Sequence, residues 1–179
     1  LAGLLFVPEV RARVIEVLRI GAVRILLTDE LPAARMPLLD GETTLALAQQ
    51  QVDFPIRLPA YPPDLGSPDR VLVQEFREPL IVLLWFGPDH PDHVRYALYQ
   101  LANTGLIEKL TGRVHKTQVN AQPAFWTQDP HMLRLPTAEG TATRNVESNV
   151  LVWTEGKVTY RLETEGTLQE AIMIAQSLK

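Results

Sequence analysis

The segment GPDHPDHV, residues 87–94, holds the densest group of side chains that could do chemistry. It contains two acid–histidine pairs, Asp89–His90 and Asp92–His93. Carboxylate and imidazole groups bind transition metals and transfer protons. A metal site needs three or four ligands that converge on one point, and these four residues could supply several of them.

The same segment has a simpler interpretation as a turn. Pro88 and Pro91 exclude a helix, so the spacing does not place His90 and His93 on one helical face. The segment also lies between two predicted strands, where Asp, Pro and Gly are common for backbone reasons alone. We therefore predict a solvated turn and assign no catalytic, metal-binding or cofactor-binding residue. A metal-dependent enzyme that uses Asp89, His90, Asp92 or His93 remains an alternative hypothesis.

Other catalytic patterns are missing from the sequence. There is no cysteine, which excludes thiol catalysis, disulfides and thiolate metal sites. None of the serines lies in a GxSxG turn, and neither GxGxxG nor the P-loop motif occurs. The net charge of −4 argues against a nucleic-acid partner, because phosphate binding favours a basic surface. These observations predict a protein that is not an enzyme and needs no cofactor.

The elements that position these side chains are mostly strands. Hydrophobic patterning predicts strands over residues 22–27, 71–76, 80–86 and 93–101, with a helix as the alternative for 93–101. It also predicts a hairpin of residues 113–120 with 124–128 around Asn120–Pro123, and a second hairpin over 150–163. Helices are predicted over residues 8–20, 44–52 and 167–178. Gly21 would end the first helix, and a capping box of Thr167 and Glu170 would begin the last. Residues 58–69 are predicted to form an ordered proline-rich loop, and residues 136–147 a polar loop.

These elements predict an α+β fold, with a mostly antiparallel sheet of about seven or eight strands and helices packed on one side. The strand LIVLLWF, residues 80–86, is apolar on both faces and is expected at the covered centre of the sheet. Trp85, Trp126 and Trp153 fall in predicted strands, and we expect them in the core. We expect residues 8–179 to form a single domain.

The end of the chain also carries a resemblance to a known family. Residues 151–178 resemble the closing motif of a bacterial domain family of unknown function. That family occurs at the C-terminus of membrane-anchored, anti-sigma-factor-like proteins and of exported lipoproteins. The motif residues are Trp153, Tyr160, Leu162 with Glu163, and the helix end from Ala175 to Leu178. Weaker similarities cover PEVRARVIEVLRIGAVRI, FPIRLPAYPPDLGSPDRVLVQE and VNAQPAFWTQDPHML, whereas residues 28–42 and 87–93 match nothing in the family.

The resemblance implies a domain on the extracytoplasmic face of the cell membrane. An anchor would end just before or at Leu1, so residues 1–7, LAGLLFV, would be the end of a membrane anchor or a buried N-terminal segment. Related exported sensor domains resemble lipoprotein carriers, in which an antiparallel sheet curves around helices. The leading hypothesis is a non-enzymatic sensor or interaction domain that binds a protein or a small amphiphilic ligand. A carrier of lipid or another apolar ligand is the second hypothesis, and a structural spacer without a ligand is a further alternative.

Overall fold

The computed structural model of the chain describes residues 16–27, 41–75, 78–88, 90–104, 107–111, 113–137 and 140–179. Within these ranges it contains thirteen strands and two short helices. In chain order they are β1 (Glu16–Ile20), β2 (Val23–Leu27), β3 (Glu42–Thr43), α1 (Leu45–Gln49), β4 (Arg70–Gln74), β5 (Leu80–Gly87), β6 (His90–Ala102), β7 (Ile107–Thr111), β8 (His115–Val119), β9 (Gln122–Thr127), β10 (His131–Thr137), β11 (Gly140–Val146), β12 (Asn149–Glu155), β13 (Val158–Thr164) and α2 (Leu168–Gln176). Neither helix is long and apolar enough to cross a membrane.

The strands form two sheets. An eight-stranded antiparallel sheet has the order β3-β4-β5-β6-β13-β12-β9-β8, and a five-stranded sheet has the order β1-β2-β7-β10-β11. All described strand pairs are antiparallel except β2 with β7. The predicted mostly antiparallel architecture is therefore confirmed. The α+β description overstates the helical part, because the structure is mostly β and its strands exceed the seven or eight predicted.

Both faces of the eight-stranded sheet are covered. Side chains alternate along β5, so Leu80, Val82 and Leu84 pack in a core shared with the five-stranded sheet. Ile81, Leu83 and Trp85 point to the opposite face, into a second core. Burial on both faces explains the uninterrupted apolar sequence of this strand, and it confirms the prediction of a central, covered strand. The three tryptophans are buried in the second core, as predicted.

Helix α2 and the proline-rich segment contribute to the second core. Ala171, Ile174 and Ala175 pack there. The predicted capping box is present, with Thr167 and Glu170 bonding each other's backbone N–H groups. The segment before β4 is held against the helix end, because the amide of each of Leu58 and Lys179 donates to the other's carbonyl oxygen at 3.1 Å. These bonds confirm the predicted ordered loop. Helix α1 also forms where a helix was predicted, with Thr44 as its N-cap.

The predicted helix over residues 8–20 is wrong for its described part. Residues 16–20 form β1, which pairs with β2, and residues 8–15 lie outside the described part of the chain. Gly21 has φ +51° and lies in the two-residue turn between these strands. A glycine with positive φ fits a helix end and a tight hairpin equally well, which is why the local sequence did not separate the two.

Two predicted loops are also strands. Residues 136–147 contribute the end of β10 and all of β11, and these two strands pair with each other. Threonine, which occurs in β11 at Thr141 and Thr143, has a high strand propensity despite its polar side chain. In the segment of residues 87–93, β6 already begins at His90, which pairs with Gly87. The turn is therefore shorter than predicted, and a strand end accommodates Pro91.

Candidate functional site

A row of polar side chains lies in the interior between the two sheets. Along β13, Val158, Tyr160 and Leu162 point into the second core. The intervening Thr159, Arg161 and Glu163 are nevertheless also buried. Such alternation is typical of a strand whose polar face contacts water. Here the five-stranded sheet covers that face, so an arginine and a glutamate become interior residues.

The centre of this row is a carboxylate shared by two arginines. Nη1 of Arg161 and Nη2 of Arg144 both donate to Oε1 of Glu163. The same Nη2 of Arg144 also donates to the Tyr99 hydroxyl at 2.6 Å. The guanidinium carbon of Arg161 lies 5.0 Å from the centre of the Tyr99 ring, within cation–π range. We call Tyr99, His131, Arg144, Arg161 and Glu163 the charged cluster.

His131 completes the cluster. Its Nε2 lies 3.0 Å from Nη2 of Arg161, and its Nδ1 lies 3.0 Å from the carbonyl oxygen of Asp129. A guanidinium group can only donate and a carbonyl can only accept. Nε2 must therefore accept and Nδ1 must carry the proton. Arg161 is held from two sides by these contacts, and its side chain is completely buried.

Among the side chains that the structure describes, the cluster has one positive charge in excess, because two guanidinium groups share one carboxylate. Burial opposes the ionisation of Glu163, but the charges of Arg161 and Arg144 outweigh it and lower the pKa of the carboxyl group. Burial raises the pKa of Tyr99, and the nearby charge of Glu163 raises it further, so the phenol stays neutral. Burial also opposes the charged form of Arg144, but Tyr99 and Glu163 outweigh it and raise the pKa of the guanidinium.

One end of the cluster opens into a cleft of about 340 Å³. Its floor consists of residues that are nearly inaccessible to solvent, namely Leu84, Ala97, Tyr99, Glu163 and Thr164. Its rim consists of more exposed residues, namely His93, Val94, Glu147, Ser148 and Glu165. Arg144 lies between floor and rim, with 23% of its side chain exposed. The cleft therefore connects solvent to the buried charges.

Comparison with protein-family models, with curated proteins and with solved structures finds no match to this chain. The family resemblance of residues 151–178 therefore remains an expectation from the sequence, and the candidate site depends on its geometry.

The acid–histidine segment reaches this cleft through His93. Its Nε2 lies 3.1 Å from Oε1 of Glu165, and both residues are on the rim. Asp89 lies outside the described residues, and His90 and Asp92 are described only as backbone at the start of β6. Among the described side chains, no three His, Asp or Glu residues converge as a metal site would require. A metal-dependent enzyme that uses Asp89, His90, Asp92 or His93 therefore stays an alternative hypothesis.

The residues of the charged cluster are brought together by the tertiary structure, and only some of them carry a signal in the sequence. Arg161 and Glu163 are opposite charges two residues apart in a predicted strand, which places them on one face. That spacing was a usable signal for an ion pair. Tyr99 and Arg144 had no comparable signal, because they come from different sheets and are separated by 45 positions in sequence.

Proposed function

We propose that the chain is a non-enzymatic sensor or interaction domain that binds a small ligand in the cleft beside Arg144. The observation that carries the proposal is the opening of this cleft onto a buried, positively charged cluster. A fold gains little from such a cluster, because replacing a buried ion-pair triad by packed apolar residues is often neutral or stabilising. Nε of Arg144 and Nε of Arg161 are also buried without a described partner, which adds a desolvation cost. Functional sites are where proteins keep arrangements that do not stabilise the fold, so buried charges at the base of a cleft support a binding role.

The protonation properties of the cluster favour binding over catalysis. General acid–base catalysis works best when the pKa of the catalytic group is close to the operating pH. The pKa of Glu163 is lowered and that of Tyr99 is raised, so both move away from neutrality. The carboxylate stays charged and the phenol stays neutral. Fixed groups of this kind suit recognition of a ligand by charge and hydrogen bonds.

We also propose a cellular location for the domain, on the basis of the sequence resemblance. The domain would lie on the extracytoplasmic face of the cell membrane, anchored by a segment before Leu1, and would pass its bound state to a partner. A membrane-spanning helix needs about 20 apolar residues. The reading frame upstream of Leu1 is therefore expected to encode such a stretch, and an upstream sequence without one would contradict the anchored form.

Native mass spectrometry of the purified 179-residue chain tests the binding role. We expect the wild type to retain a small ligand from the expression host, and Arg144→Met to lose it. Arg70→Met is the matched control, because Arg70 is an exposed arginine that lines a different cleft. A wild-type protein that carries no added mass, even after incubation with host metabolite extract, would contradict small-ligand binding. A retained metal ion would instead favour the enzyme hypothesis for residues 89–93.

A further inference from the structure

We infer that the ligand of this cleft is a small zwitterion, such as a free α-amino acid, whose carboxylate binds Arg144 and whose ammonium group binds the acidic rim. The inference rests on the proposed function and specifies its ligand class. It is carried by the layout of charge. The charged cluster, in which Arg144 and Arg161 outnumber Glu163, borders the inside of the cleft, and the carboxylates of Glu147 and Glu165 lie at the entrance.

The carboxylate position follows from the unbalanced charge of the cluster. Arg144 uses Nη2 for both Glu163 and Tyr99. Its Nη1 donates to no residue that the structure describes, and it is not among the fully buried unpartnered atoms. Since Arg144 lines the cleft, this nitrogen is available to a ligand there. A carboxylate at Nη1 would neutralise the excess positive charge, and charge-assisted bonds of this kind are stronger than neutral ones.

The acidic residues of the rim provide a position for the ammonium group of the ligand. Glu147 and Glu165 line the cleft and are both exposed. His93 is near Glu165, whereas Glu147 has no ion-pair partner among the described residues. Two carboxylates at the entrance repel a ligand that carries only negative charge and attract one that also carries an amine. The rim therefore favours an amino acid over the corresponding simple carboxylic acid, and it disfavours phosphate.

The volume of the cleft and its apolar lining residues indicate which amino acids would fit. A volume of about 340 Å³ is at the small end of ligand pockets and suits a molecule of amino-acid size. Val94, 39% exposed, and the floor residues Leu84 and Ala97 provide apolar surface beside the charged groups. A short aliphatic side chain would pack against these residues. We therefore expect alanine, valine or leucine to bind more tightly than glycine.

Isothermal titration calorimetry on the purified chain, stripped of retained ligand by reversible denaturation, tests the inference. The probes are glycine, alanine, valine and leucine. Isobutyrate lacks the ammonium of valine, valinamide lacks its carboxylate, and inorganic phosphate tests for a general anion site. We expect valine to bind at least roughly tenfold more tightly than isobutyrate or valinamide, since each charged contact is worth that factor or more.

Two variants assign the two ends of the ligand. Arg144→Met is expected to weaken valine binding by roughly tenfold or more, and Arg70→Met is expected to leave it unchanged. Glu147→Gln affects only an exposed residue, so it keeps the test valid if Arg144→Met folds poorly. It should reduce the preference for valine over isobutyrate without strengthening valinamide binding.

The outcomes separate this inference from the proposed function. Equal affinity for valine and isobutyrate, tighter binding of phosphate, or no heat with any amino acid at millimolar concentration would overturn the zwitterion assignment. If native mass spectrometry still shows another ligand that Arg144→Met loses, the binding role stands with a different ligand class. If no ligand is found by either method, both proposals fail.

Discussion

Glu163 is the counter-ion of both arginines in the charged cluster. Arg144 and Arg161 donate to the same carboxylate oxygen, and Arg161 has no access to solvent. Removing the carboxylate charge leaves two guanidinium groups close together without a counter-ion. Removing Arg144 instead leaves the neutral pair of Arg161 and Glu163. The two substitutions are therefore expected to differ strongly in their effect on stability.

We predict that Glu163→Gln lowers the free energy of unfolding by about 3–5 kcal/mol, the usual cost of breaking a buried ion pair by removing one partner. Glu155→Gln is the control, because Glu155 pairs with Arg57 at 2.7 Å where each side chain is 33% exposed. Such a pair contributes roughly 1 kcal/mol or less. Urea unfolding measures both. Similar losses in the two variants would show that the cluster does not depend on Glu163.

The same variant has a pH signature. The folded-state pKa of Glu163 lies below its ordinary value, so ionisation stabilises the fold. This contribution is fully present above the unfolded carboxyl pKa of roughly 4.3, and it is lost as the pH falls through the lower folded pKa. In acid titrations followed by urea unfolding, the wild type should lose more stability below roughly pH 4.3 than Glu163→Gln does. Parallel profiles would contradict the assignment.

At the scale of elements, the hairpin of β1 and β2 is attached to the larger sheet through its turn. The amide of Ala22 donates to Oγ1 of Thr159 on β13 at 2.8 Å, and that hydroxyl donates to Oδ1 of Asn103 at 2.7 Å. Gly21 has positive φ, and a Cβ built on it would overlap Thr159 and Thr154. Glycine is required here both by backbone conformation and by close approach between the sheets.

We predict that Gly21→Ala destabilises the protein more than Gly156→Ala. Gly156 also has positive φ, but a Cβ there would meet nothing within 4 Å. Its substitution should cost only the backbone strain, about 1–2 kcal/mol. Gly21→Ala should lower the free energy of unfolding by about 1–3 kcal/mol more than that, because the turn must move away from β13. Chemical unfolding of the pair measures the difference, and equal costs would mean that the turn adjusts without loss.

At the scale of the whole molecule, the two sheets share one core. Leu133 and Val146 of the five-stranded sheet pack in the same cluster as Val82 and Val150 of the eight-stranded sheet. The three tryptophans lie in the eight-stranded sheet, on the opposite face. Tryptophan fluorescence therefore reports on the larger sheet, whereas far-UV circular dichroism reports on both.

We predict that Leu133→Ala lowers the stability of both sheets together. Leu133 is completely buried, and such truncations cost about 2–5 kcal/mol. If the sheets unfold as one cooperative unit, fluorescence and circular dichroism will give the same shifted midpoint in urea. A circular-dichroism transition that shifts while the tryptophan transition stays at its wild-type position would show that the smaller sheet unfolds independently.

Much of the local structure was predictable because it depends on short-range chemistry. The hairpin of β12 and β13 forms around Gly156, whose φ is +59°. The strands β8 and β9 form the predicted hairpin around Asn120, and α2 begins at the predicted capping box. In each case the turn or cap residues satisfy backbone requirements within a few positions. The errors at β1, β10 and β11 arose where the same residues suit two local structures, and pairing with distant strands selected one.

The sequence by itself determined the strand-rich composition, the main hairpins, the apolar central strand and the absence of cysteine chemistry. Only the tertiary structure decided which polar face became interior. In β13, Arg161 and Glu163 alternate with apolar residues, a pattern that is compatible with a face exposed to water. They are instead buried in a charged cluster because the second sheet covers that face. The candidate site likewise depends on Tyr99 and Arg144, which belong to different sheets. Local patterning sets the direction of a side chain along its strand, whereas long-range packing sets what that side chain meets.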